Sequence, residues 1–235
     1  MKLESLRLLI EKFGGKYSEM LGIDISSARE EEIFKWFLAS ILFGAPIREG
    51  SAIKTYKCFT KYNVLTPKRI LETGWDGLVK ILDEGGYTRY DFKTADKLLE
   101  VMQNLVKKYN GSLTNLQNKA SDSRDLEEKI IELGKGIGNV TVNIFLRELR
   151  GIWQKADPKP TALTIFAATK LGILREGTQQ KALENLKEFW LKNSVEGKSF
   201  VNFETALLKL GKDFCKKRKC SICTFKGDCL KPEVP

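Results

Sequence analysis

Histidine is absent from this 235-residue chain, and with it go Ser-His and Cys-His nucleophiles and every zinc or non-haem iron site built on an imidazole. Acid–base chemistry falls to carboxylates, Lys or Tyr. Long apolar runs are missing too: the most apolar stretch, Trp36 to Ile47, is too short to cross a bilayer, so no membrane partner is expected. The opening Met1-Lys2-Leu3-Glu4-Ser5 alternates charged and apolar residues and lacks the uncharged stretch of a signal peptide, which predicts a cytoplasmic, nucleoid-associated protein. Strict apolar–polar alternation between turn signals, low-complexity segments and tandem repeats are all lacking, which argues against a sheet or a solenoid.

What is present is positive charge and helical periodicity. Lys and Arg number 40 against 30 Asp and Glu, a net charge of +10, which suits a polyanionic partner such as nucleic acid and equally a Lys-rich surface that merely solubilises. At 42% hydrophobic residues the chain can bury a core. Apolar spacing predicts an all-α fold, with helices at about 2–13, 50–61, 74–83, 92–109, 123–133, 139–150, 159–171, 178–192 and 200–213. A further helix opens at Glu30-Glu31-Glu32 and runs through Ile33, Phe34, Trp36, Phe37, Leu38, Ile41 and Leu42. It has acids at the positive end of its dipole and is apolar nearly all round, as a central core helix must be.

Three segments carry candidate chemistry. In Leu133-Gly134-Lys135-Gly136-Ile137-Gly138-Asn139-Val140, alternate glycines permit a tight turn between two helices, with Ile137 as a plug into the core. The first amides of the second helix then lack intrahelical acceptors and can hold a phosphate oxygen; a plain connector between helices would use the same glycines. Asp157, followed by Pro158, reads as a helix N-cap. The third segment holds Cys215, Cys220, Cys223 and Cys229 in the pattern C-x4-C-x2-C-x5-C, a ligand set for an iron–sulfur cluster or for zinc rather than a pair of disulfides. Between its first two members lies the basic run Lys216-Lys217-Arg218-Lys219, which would meet phosphates if the ligands fix it, or be a solvated charge run. Cys58 stands apart as a small buried residue.

In this order and approximate spacing the hairpin, Asn143, Asp157 and the cysteines resemble the helix-hairpin-helix DNA glycosylases, and the chain is similar to a divergent relative of endonuclease III. Gly85-Gly86-Tyr87 with Lys93-Thr94-Ala95, and Tyr109-Asn110-Gly111, add to the likeness. The resemblance implies two helical domains: a six-helix barrel ending in the hairpin, here residues 28–150, and a discontinuous cluster domain, residues 1–27 with 151–235. It implies a 4Fe-4S cluster on the four cysteines, with structural zinc as the alternative. Phosphate contacts would come from Gly134, Lys135, Gly136, Gly138 and Asn139 and from Lys216, Lys217, Arg218 and Lys219. Asp157 becomes the catalytic carboxylate acting on a damaged or mispaired base flipped from double-stranded DNA by a monomeric protein.

The chain departs from the family in three places. Val140 stands where strand-cleaving relatives carry a Schiff-base Lys, so the resemblance implies a monofunctional glycosylase without abasic-site lyase activity; Lys135 and Lys159 are the nearby amines. The loop Phe43-Gly44-Ala45-Pro46-Ile47-Arg48 lacks the Gln that relatives insert beside a flipped base, leaving Ile47 or Arg48 as candidates. The first cysteine loop is two residues shorter than the common family pattern. A scaffold that binds damaged or abasic DNA without catalysis is the alternative function, while an electron-transfer protein would leave the hairpin region unexplained.

Overall fold

The computed structural model describes residues 1–175, 177 and 181–230; of the expected helix at 178–192, residues 178–180 lie outside these. The protein is all-α, with no strand among the described residues. No helix among them is long and apolar enough to cross a membrane. The chain forms two compact units, one of residues 21–158 and one of residues 1–20 with 159–235.

In the unit of residues 21–158, helix α3 (Glu30–Phe43) is the centre, and Ile33, Phe34, Trp36, Phe37, Leu38, Ala39, Ile41 and Leu42 are all buried. Around it lie α4 (Glu49–Lys61), α5 (Pro67–Gly85), α6 (Asp91–Tyr109), α7 (Leu113–Lys119), α8 (Ser123–Ile131) and α9 (Asn139–Glu148). The acids that open α3 do more than meet its dipole. The Glu30 carboxylate accepts the Leu113 and Thr114 amides at 2.6 and 3.0 Å and the Ser112 hydroxyl at 2.9 Å. That long-range cap adds to the local one at the start of α7, in which the Ser112 hydroxyl accepts the Asn115 amide at 3.1 Å.

Helix α5 is longer than expected because Thr66 caps it and Pro67 occupies its first turn, and it breaks at Gly74, where φ is +65°. Gly85 lets α5 approach α4: a Cβ there would lie 2.5 Å from the Thr55 Cα. Trp36 donates its indole N–H to the Phe145 carbonyl at 3.0 Å, and Phe37 and Trp153 both meet the Phe145 ring. These contacts anchor α9 against α3.

In the other unit, α1 (Leu3–Phe13), the short α2 (Tyr17–Met20), α10 (Ala162–Lys170), α11 (Ala182–Asn193) and α12 (Phe200–Leu210) enclose a separate core. Leu6, Leu9 and Ile10 of α1 pack with Phe203, Ala206, Leu207 and Leu210 of α12, and Trp190 stacks on Phe203 at 5.5 Å. Ser199 and Asn202 form a reciprocal capping box at the start of α12.

Candidate nucleic-acid interface and cysteine centre

The hairpin is built on close approach. A Cβ on Gly134 would lie 2.8 Å from Val101 Cγ2 on α6, and Gly136 holds φ at +87° with the Lys97 stem beside it. Ile137 is buried at 4% exposure and serves as the plug its apolar side chain predicts. The α6 side chains complete the turn: Asn104 donates to the Leu133 carbonyl at 2.9 Å, and Glu100 accepts the Lys135 amide at 3.1 Å. No side chain caps α9, whose first turn therefore presents amides without intrahelical acceptors. Gly138 and Asn139 are exposed there, as is Val140 at 64%. Lys97 was not picked out from the sequence; burial pushes its amine below the ordinary lysine range, and its place beside Gly136 comes from the packing of α6 on the hairpin.

The loop Phe43–Arg48 reaches the same helix. Gly44 abuts the Thr141 side chain, so the residues following α3 emerge beside the first turn of α9. Ile47 is half-buried and Arg48 exposed.

Asp157 is not a helix N-cap. Each proline holds its preceding residue extended, so Pro158 and Pro160 keep the chain out of helix until Thr161, whose hydroxyl accepts the Thr164 amide at 3.2 Å and caps α10. In place of helix amides, the Asp157 carboxylate meets the Arg150 guanidinium, which also donates to the Pro158 carbonyl. The Arg150 side chain is 6% exposed and that of Asp157 34%. The chain reverses at Gly151, where φ is +78°, and this turn brings the residue just beyond α9 back onto the segment before α10. One turn earlier Arg147 is also buried and donates to Asn143 Oδ1 at 3.4 Å. Neither arginine was singled out from the sequence. The i, i+7 relation of Arg150 to Asp157 acquires meaning only once Gly151 has turned the chain.

All four clustered cysteines line one cavity of about 30 Å³, walled by Leu171, Leu210, Phe214 and Phe225 with Lys170 and Lys226 at its edge. Helix α12 passes into a π turn, Gly211–Cys215, closed by the Lys216 amide on the Gly211 carbonyl at 2.8 Å. Gly211 is required there because a Cβ would strike the Leu163 carbonyl on α10. Cys220 and Cys223 bracket a single 3-10 turn, and Lys226–Asp228 forms another before Cys229.

The four thiols are free, and among the described residues no group of three or more Cys, Asp or Glu side chains is drawn together around a single metal position. Burial, reinforced by Cys223, Cys229 and Cys220, pushes the Cys215 thiol up to about 11, and burial raises Cys223 as well. Four thiolates confined in an apolar pocket repel one another, and a cation among them would remove that cost. An all-sulfur donor set around one cavity fits a 4Fe-4S cluster and is compatible with zinc.

The basic run does not act as one block. Lys217 lies 3.1 Å from Asp213 and is partly neutralised by it. Lys216, Lys217, Arg218 and Lys219 are all exposed. No model of a known protein family matches this chain, and no curated protein matches it.

Proposed function

We propose that the protein is a monofunctional DNA glycosylase that removes a damaged or mispaired base. One observation carries the reading: within a single unit, the glycine hairpin and the carboxylate lie at opposite ends of α9, joined by the Arg150–Asp157 pair. The uncapped start of α9 and the exposed Lys135 suit the phosphate backbone. A base turned out of the stack would then be presented to a fixed acid. In the reaction the C1′–N bond breaks, its electron pair leaves on the base, and water adds to C1′ and gives up a proton. Asp157 stabilises the positive sugar and receives that proton. Arg150 is a positioning residue, holding the carboxylate in one orientation without touching the substrate.

Val140 cannot form a Schiff base, so the strand should stay uncut after base loss. Cys215, Cys220, Cys223 and Cys229 would hold a 4Fe-4S cluster. Bound there, the cluster supplies rigidity and leaves the bond-breaking step to Asp157. Incubation with duplexes carrying a panel of lesions and mismatches, followed by alkaline cleavage of abasic sites, tests the activity directly.

A second reading has its own support. Arg150 compensates the Asp157 charge, which lowers its value to a cationic transition state. A protein that binds damaged DNA and excises nothing would show salt-dependent duplex binding without product, and Asp157→Asn would leave that binding unchanged.

A further inference from the structure

Beside the cysteine centre lies an open cavity of about 500 Å³, lined by Ala162, Leu163, Phe166, Cys215, Lys216 and Arg218. Its size falls within the ~300–1,000 Å³ range of small-ligand sites. Phe166 is 37% exposed on α10, a large ring kept in contact with solvent, and the Lys170 ammonium lies 5.5 Å from its centroid. The basic loop divides around this space: Lys217 is held on Asp213, while Lys216 and Arg218 line the cavity. Arg218 has φ of +51°, a conformation that non-glycine residues seldom adopt, and it reverses the chain at that point. No acid pairs with Lys216 among the described residues, and no acid lines the cavity. Apolar floor, aromatic ring and cationic rim together match a ligand with a flat body and an anionic end.

We propose that this cavity receives one unpaired nucleotide, its base stacked on Phe166 and its phosphate held by Lys216 and Arg218. On the DNA reading above, on which this rests, the source is a strand in which a nucleotide other than the one presented to Asp157 has left the helix. A paired base is covered on both faces by its neighbours and cannot reach a concave ring. A free nucleoside monophosphate carries the same chemistry and is the other source to be separated.

The test is fluorescence anisotropy of the cluster-loaded protein with three probes: a fully paired duplex, the same duplex with one bulged nucleotide, and a nucleoside monophosphate. The wild type should prefer the bulged duplex. Phe166→Leu should erase a preference of about 5- to 160-fold, the range for stacking one base, with the salt slope unchanged. Phe166→Tyr should restore it. Lys216→Gln should lower the slope by about 0.9 on both duplexes. An undiminished preference in Phe166→Leu, or no recovery in Phe166→Tyr, overturns the proposal. Phe166-dependent binding of the monophosphate alone would keep the pocket and sink the DNA reading. Binding to none of the three probes would sink both.

Discussion

The two units handle charge in opposite ways. In the unit of residues 21–158 the candidate acid is already answered by the protein itself, since Arg150 is committed to Asp157 and to the Pro158 carbonyl. In the unit of residues 1–20 and 159–235, four thiols share one cavity whose only charged lining residues among the described ones are Lys170 and Lys226. The first arrangement can preorganise a carboxylate without a cofactor. The second would, on the proposed function, be completed by the metal cluster that its four thiolates are proposed to hold. Chemistry and scaffold are therefore expected to separate cleanly between the units under mutation.

The largest effect that would break this comparison is removal of a thiolate. Cys223→Ala is expected to lose bound iron, together with the visible absorbance of a cluster, and to make the C-terminal segment the first to be cut in limited proteolysis. Iron analysis of the purified variant checks it. A Cys223→Ala protein retaining four irons and wild-type protease resistance would remove the cysteines from the ligand set. Asp157→Asn comes next: excision of a responsive lesion should fall by about 10²–10³-fold, the scale of losing one electrostatic stabiliser, while iron content stays at the wild-type level.

A smaller effect separates the two backbones. Gly211→Ala forces a methyl group onto the Leu163 carbonyl, and overpacking of this kind costs about 1–3 kcal/mol. Gly134→Ala meets first the Val101 Cγ2 atom, the end of a side chain that can give, and should cost less. Thermal melts of the two variants rank them, and an equal or reversed order would contradict the packing described. The smallest effect lies in the basic loop. Lys216→Gln should lower the salt slope of duplex binding by about 0.9, and Lys217→Gln by less, because Asp213 already neutralises part of its charge. Equal slopes for the two would mean that the Lys217–Asp213 pair is open in solution.

Much of the fold was legible in residue spacing. Core helix α3 follows from an apolar surface nearly all round, and the plug Ile137 from being the apolar residue between the hairpin glycines. Helix α7 was missed although Ser112 caps it locally; only the second cap, from Glu30, 83 residues earlier in the chain, was beyond reach of the sequence. The Thr66-Pro67 start of α5 was a local signal passed over. At the candidate site, Asp157 was singled out from the sequence while its setting was misread. The Asp-Pro pair suggests a cap, but Pro160 withholds the helix until Thr161, and the carboxylate turns to an arginine whose approach depends on Gly151. The cysteine spacing was readable, whereas the π turn that presents Cys215, and the close approach of its Gly211 to the Leu163 backbone, were not.

The central claim is that Asp157 breaks an N-glycosidic bond. Single-turnover excision, run on the lesion panel with wild type and Asp157→Asn side by side, tests it most directly. The account predicts alkali-labile sites on at least one lesion, no strand cleavage before alkali, and a rate for Asp157→Asn lower by about 10²-fold or more. Equal rates for the two proteins, or no released base from any duplex despite tight binding, would contradict it.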